Sequence, residues 1–149
     1  MTRHVTVVVL FALALGLATG ACGSPTEPNT QRVIGRIDPS LSSRPVVWAP
    51  QEVRAGVAFL VTVTTVGFGC TSAEGGDVEV RGDLARIVPY DREPKPGHTF
   101  VCAPDVTVLP RDLRLTLSLP GTTHLRVVGI KPSNAEALDS VDVTVTVRP

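Results

Sequence analysis

Aromatic side chains make up only 4% of the 149 residues, with a single Trp and a single Tyr. A chain this poor in flat rings has little with which to stack sugars or nucleobases. An excess of charge of one sign is missing too: fourteen Lys+Arg balance fourteen Asp+Glu, and the formal net charge is zero. There is no basic field to hold nucleic acid and no acidic field to gather cations. The chain lacks a Gly-x-Ser-x-Gly elbow, a phosphate-cradling glycine loop followed by Lys, and a twelve-residue calcium loop. Beyond the N-terminal segment, no apolar run is long enough to span a bilayer. Val is abundant, at 24 positions, punctuated by 13 Gly and 13 Pro. Val is stiff at χ1 and favours strands, while Gly and Pro mark turns. The composition therefore predicts an all-β domain.

The N-terminus reads as an address. Arg3 precedes an apolar run over 5–18, interrupted only by Thr6 and Gly16. About fourteen residues of helix span ~21 Å, short of the ~30 Å hydrocarbon core, so the run is a signal-peptide core and not a transmembrane helix. Leu17-Ala18-Thr19-Gly20-Ala21-Cys22 follows. Small residues just before a Cys resemble the lipobox of bacterial lipoproteins, although that family usually has Leu where Thr19 stands. The resemblance implies removal of 1–21 and diacylation of Cys22, which then becomes the N-terminus. The alternative is an ordinary signal-peptidase cut, since Thr19 and Ala21 satisfy a small-x-small rule.

Cysteine parity favours the lipid. The chain has three Cys: Cys22, Cys70 and Cys102. An oxidising compartment leaves an odd Cys unexplained unless one has separate chemistry. Lipidating Cys22 leaves Cys70 and Cys102 as a disulfide pair, whose loop of about 33 residues is worth roughly 3–4 kcal/mol. The polar, Pro-rich stretch that follows makes 22–31 a lipidated Cys with a disordered tether. Gly23 is not Asp, so by the same resemblance nothing retains the protein at an inner membrane. The expected place is the cell envelope, at the outer membrane if the cell has one.

From 32 to 149 the sequence shows period two. Val57, Phe59, Val61 and Val63 alternate with Ala58, Leu60, Thr62 and Thr64; Leu113, Leu115, Leu117 and Leu119 alternate with Arg114, Thr116 and Ser118. Val141, Val143, Val145 and Val147 form the cleanest run. One apolar and one polar face is the mark of antiparallel strands packed on one side. Weaker strands are expected at 32–37, 46–48, 78–80, 84–88, 98–101, 106–109 and 123–128, with turns at 72–77 and 91–97 and a single helical turn at 134–139. About 7–9 strands in one domain predict an immunoglobulin-like antiparallel sandwich, with a small β-barrel as the alternative. Pro50-x-x-Val53-x-Ala55-Gly56-Val57-x-Phe59-x-Val61-x-Val63 resembles the first strands of bacterial Ig-like domains. Pro120-Gly121-Thr122-x-x-Leu125-Arg126-Val127-x-Gly129 resembles their penultimate strand. With the two Cys between them, the chain is similar to small bacterial lipoproteins of unassigned function. That implies a fold and a habitat, and no reaction. Cys70 follows Gly67-Phe68-Gly69 at a strand end, so the bridge is expected to clasp one end of the sandwich.

Few residues suggest chemistry. Zinc would need His98 with Cys102 and Cys70, but on a strand a four-residue spacing separates ligands by about 13 Å, and oxidation removes both thiolates. His124 alternates with Arg126 on a solvated face. Glu74, Asp77 and Glu79 offer carboxylates for a weak calcium site, though a polar turn explains them equally. Arg81-Gly82-Asp83 matches a tripeptide of integrin-binding proteins, and its Gly-Asp is also a natural hairpin turn. Trp48 and Tyr90 offer a small platform for a sugar. No nucleophile–base pair is apparent. The reading is a non-enzymatic module without cofactor or metal, tethered to a membrane and contacting an envelope protein. The expected contact is a loop bearing Asp91, Arg92, Glu93 and Lys95. A small-ligand module for carbohydrate or calcium is the alternative.

Overall fold

The computed structural model describes residues 29–41, 44–98 and 101–149. The expected signal peptide at 1–21, the expected lipidation residue Cys22 and most of the expected tether lie outside the described residues. Nine strands follow in order: β1 (Thr30–Ile34), β2 (Val47–Trp48), β3 (Glu52–Arg54), β4 (Ala58–Phe68), β5 (Ser72–Arg81), β6 (Leu84–Pro94), β7 (Val106–Thr116), β8 (Gly121–Lys131) and β9 (Asn134–Arg148). A three-stranded sheet, β2-β4-β7, packs on a six-stranded sheet in which β3, β9, β8 and β6 are neighbours and β5 and β1 flank β6. The expected all-β sandwich is what the chain forms.

The core is aliphatic. Val61, Val63, Leu113 and Leu115 from the small sheet meet Ala85, Ile87, Leu125, Val127, Val145 and Val147 from the large one, all buried. These are the in-phase residues of the alternating runs, so period two set which face turned inward. Val57 and Leu119 are exceptions: they lie just before β4 and just after β7, and are 55% and 60% exposed.

Strand β6 organises the large sheet. On one side it pairs with β5 from Ser72↔Arg92 to Arg81↔Leu84. On the other, β8 runs beside Leu84–Ile87 and β1 beside Tyr90–Pro94. The β6–β8 and β3–β9 pairings are parallel, a departure from the expected antiparallel sandwich. Strand β7, in the opposite sheet, is the crossover that a parallel β6–β8 neighbour requires. The chain switches sheets at 49–51: β2 pairs with β4, and β3 then pairs with β9. Pro50 sits at that switch, where no ladder N–H is needed.

Several expectations are corrected. Thr30 and Gln31, read as tether, open β1 because they pair with Pro94 and Glu93. The stretches 72–77 and 91–94 are strand, not turn, because the polar residues there pair across β5 and β6. The run 106–109 and the first part of the run 113–119 join in one strand, β7, despite Pro110, and residues 117–119 lie past its end. Residues 134–139 are the first part of β9, not a helical turn, held by β8. His98 and Val101 are outside any strand, and 99–100 are not described. The Arg81-Gly82-Asp83 segment is the β5–β6 hairpin, with Gly82 at φ 60° as a type II′ turn requires at its first central position.

Cys70 and Cys102 are bonded, with Cα atoms 5.2 Å apart. The bridge ties the β4–β5 turn to the β6–β7 connection, both of which cross between sheets at the same end. We call this the clasped end. Replacing both Cys with Ser should lower the unfolding free energy by about 3–4 kcal/mol. The strand signal in circular dichroism should persist, because the aliphatic core does not include the bridge. Urea unfolding under non-reducing conditions measures the loss.

Candidate functional site

Three of the four residues expected on an exposed loop are not on one. Asp91 is 1% exposed, and Arg92 and Glu93 are half-buried within β6. The physical reason is that β1 and β5 pair with this stretch from both sides, which fixes its backbone as an interior strand. Only Lys95, just past the strand, is exposed.

The charges of this stretch are spent inside the domain. Arg111 on β7 is 5% exposed and donates through Nη2 to Asp91 Oδ1 at 2.5 Å. It also donates to the Thr65 hydroxyl and to the carbonyls of Tyr90 and Gly75. Thr65 on β4 donates to Asp91 Oδ1 at 3.0 Å. Arg36 pairs with Glu93, and Arg92 pairs with Glu74 at 2.7 Å. Gly35 closes the cluster: a Cβ there would stand 2.6 Å from Thr65 Cγ2 and 2.9 Å from Asp91 Oδ2. The Arg111–Asp91 pair thus links the two sheets through the interior.

The sequence carried an unused signal for this pair. Arg111 is in phase with Leu109, Leu113 and Leu115, and Asp91 with Ala85 and Ile87; one cation and one anion fall on facing core rows.

Burial pushes the Asp91 carboxyl above the usual carboxylate range, against the pull of Arg111 and Thr65. A raised folded-state value means that Asp91 contributes most to stability below its unfolded pKa. That contribution is lost as pH rises through the folded value. The exposed carboxyls behave oppositely. Arg148 holds Glu52 below the usual range and Arg126 holds Asp142 below it, so what these contribute is lost on acidification.

The remaining candidates separate. The Tyr90 ring lies under the Arg32 guanidinium, 3.6 Å from it, on the large sheet. Trp48 is on the small sheet, so the two form no common platform. Glu74 faces Arg92, and Asp77 faces Arg32 at 3.5 Å. Among the described residues, no three His, Cys, Asp or Glu side chains come together as a metal site would require. His124 is exposed on β8.

Trp48 remains a surface candidate. It is 58% exposed, the only Trp of the chain, on the outer face of the three-stranded sheet. Its ladder neighbour Thr62 donates to Asp112 Oδ1 at 2.7 Å. Arg44, Trp48 and Thr62 line a shallow cavity of about 260 Å³. On its other side Trp48 borders a wider groove of about 730 Å³, at the sheet switch between Pro50 and Thr144. One ring beside a hydroxyl, a carboxylate and a guanidinium is a composition suited to a polar ligand with an apolar face.

Comparison of the chain with protein-family models, with curated proteins and with solved structures finds no match. The chain's own residues are therefore what a functional reading stands on.

Removing one partner of the buried pair should cost far more than removing both. R111M is expected to lose about 3–5 kcal/mol of stability, since it leaves a carboxylate uncompensated in the core, and D91L/R111M to lose less. Urea unfolding of the two variants checks the order. In a pH series, the stability of the wild-type protein minus that of D91N should fall as pH rises.

Proposed function

We propose that this protein is an exported, lipid-anchored component of the cell envelope that displays one non-enzymatic Ig-like sandwich for contact with an envelope protein. The observation that carries this reading is the Cys70–Cys102 bond. It uses both cysteines of the domain and leaves Cys22, behind an apolar run and a row of small residues, with chemistry of its own. Acylation is that chemistry. Cys22 precedes the first described strand, β1, which begins at Thr30. Two or three acyl chains make such an attachment effectively permanent, whereas one does not. The buried roles of Asp91, Arg92 and Glu93 move the contact surface away from them. The exposed turns at 56–58, 81–83 and 118–121, at the end opposite the bridge, are the better candidates.

Trp48 supports a second reading, a module for a small carbohydrate on the outer face of the small sheet. Titration of Trp48 emission with oligosaccharides tests it: a saturable shift abolished by D112A supports a sugar site, and a flat titration removes it.

The anchor is tested by intact mass of protein purified from membranes of a lipoprotein-processing host. The expected chain starts at Cys22, carries acyl mass, and gains the mass of two hydrogen atoms on reduction. C22S should lose the acyl mass and leave the membrane fraction. An unacylated wild-type chain would overturn the anchor.

A further inference from the structure

We propose that the clasped end of the sandwich rests on the lipid surface to which Cys22 ties the chain, so that the domain stands in one orientation instead of swinging on its tether. This rests on the anchor reading above. Three observations meet at that end.

The first is the point of entry. Thr30 pairs with Pro94 at the tip of β6, and the Lys95 N–H donates to the Asn29 carbonyl at 2.8 Å. The chain from Cys22 therefore arrives at the clasped end. The few residues between Cys22 and Asn29 keep it within about 25 Å of the anchor even when fully extended.

The second is cation placement. The chain has two lysines, Lys95 and Lys131, and both are exposed at this end. Lys95 follows β6, and Lys131 closes β8, which runs parallel to β6 and so finishes beside it. The third is apolar exposure. Phe68 and Val106 are ladder partners at the adjoining ends of β4 and β7, 48% and 43% exposed, and Val101 is wholly exposed.

Lysine stems lie along apolar surface while their ammonium groups reach headgroup phosphates, and apolar side chains enter the boundary below. Asp105 and Glu136 share this end, so the contact works by apolar insertion with lysines at phosphates and not by a strong positive field. The opposite end also exposes Val57, Val80 and Leu119 and the cations Arg54 and Arg81, but it lies a full strand away from the point of entry, about 36 Å along β6. Docking of the clasped end turns that end outward, where a partner meets it.

The test uses the full acylated protein in phosphatidylethanolamine–phosphatidylglycerol vesicles containing brominated phospholipid, which quenches nearby indole fluorescence. Two variants, W48F/V101W and W48F/L119W, place the only Trp at one end or the other, both at exposed positions. About twofold quenching is expected for V101W, whose site enters the interfacial layer, with L119W unchanged. V101W unquenched in vesicles that still float with the protein overturns docking and leaves the anchor standing. Equal quenching of the two variants overturns the fixed orientation. Failure to float with the vesicles overturns the anchor and docking together. On the unaltered sequence, acetylation of Lys95 and Lys131 should be slower on vesicles than in unanchored C22S, and equal rates would also overturn docking.

Discussion

The ion pair between Arg111 and Asp91 is the constraint around which this sandwich is arranged. In antibody domains a disulfide crosses between the sheets beneath a Trp. Here the disulfide has moved to one end, Trp48 stands on the outer surface, and a guanidinium crosses the interior instead. That choice sets conditions on everything near it. Both charges must be desolvated together, so Thr65 and the carbonyls of Tyr90 and Gly75 are drawn in to meet part of their hydrogen-bonding capacity, while Asp91 Oδ2 and Arg111 Nε are left without a partner. The backbone at residue 35 must approach closely enough that only Gly fits. An interior charge pair of this kind adds little net stability compared with an aliphatic replacement, but it penalises any register that leaves one partner alone. It therefore acts on specificity: β6 and β7 can meet in few ways.

The same pair explains where the sequence was legible. Alternation in β4, β7 and β9 depends only on residues two apart, and it identified the strands, the core rows and the sandwich. Cysteine parity identified the bridge. The charged stretch from Asp91 to Lys95 was opaque for a different reason. Its polarity is that of a surface loop, and what makes it a strand is β1, some sixty residues earlier, together with β5. Pairing at that separation leaves no local trace. The trace that did exist, Arg111 and Asp91 each in phase with aliphatic neighbours, is visible only once both rows are extended and compared.

Strand direction was likewise beyond local pattern. Period two reports a face, not a neighbour, so it cannot distinguish a β8 that pairs with β6 in parallel from one that pairs antiparallel. Trp48 and Tyr90 show the same limit for surface sites. Both are aromatic and both were candidates for one platform, yet the switch of sheets around Pro50 puts them on different layers. Tyr90 is then covered by Arg32, while Trp48 keeps Thr62, Asp112 and Arg44 for company.

The way β1 enters has a mechanical side. Its five residues run along β6 from the tip inward, and the chain continues through Gly35 and Arg36 into bridges with β4 and β8. Tension applied through the N-terminal segment acts along the axis of β1. It loads the whole ladder with β6 in shear, all pairs at once, instead of peeling them singly from one end. The Cys70–Cys102 loop does not enclose β1 and cannot share that load. Resistance to pulling would thus reside in a short non-covalent ladder, and oxidation state would leave it untouched.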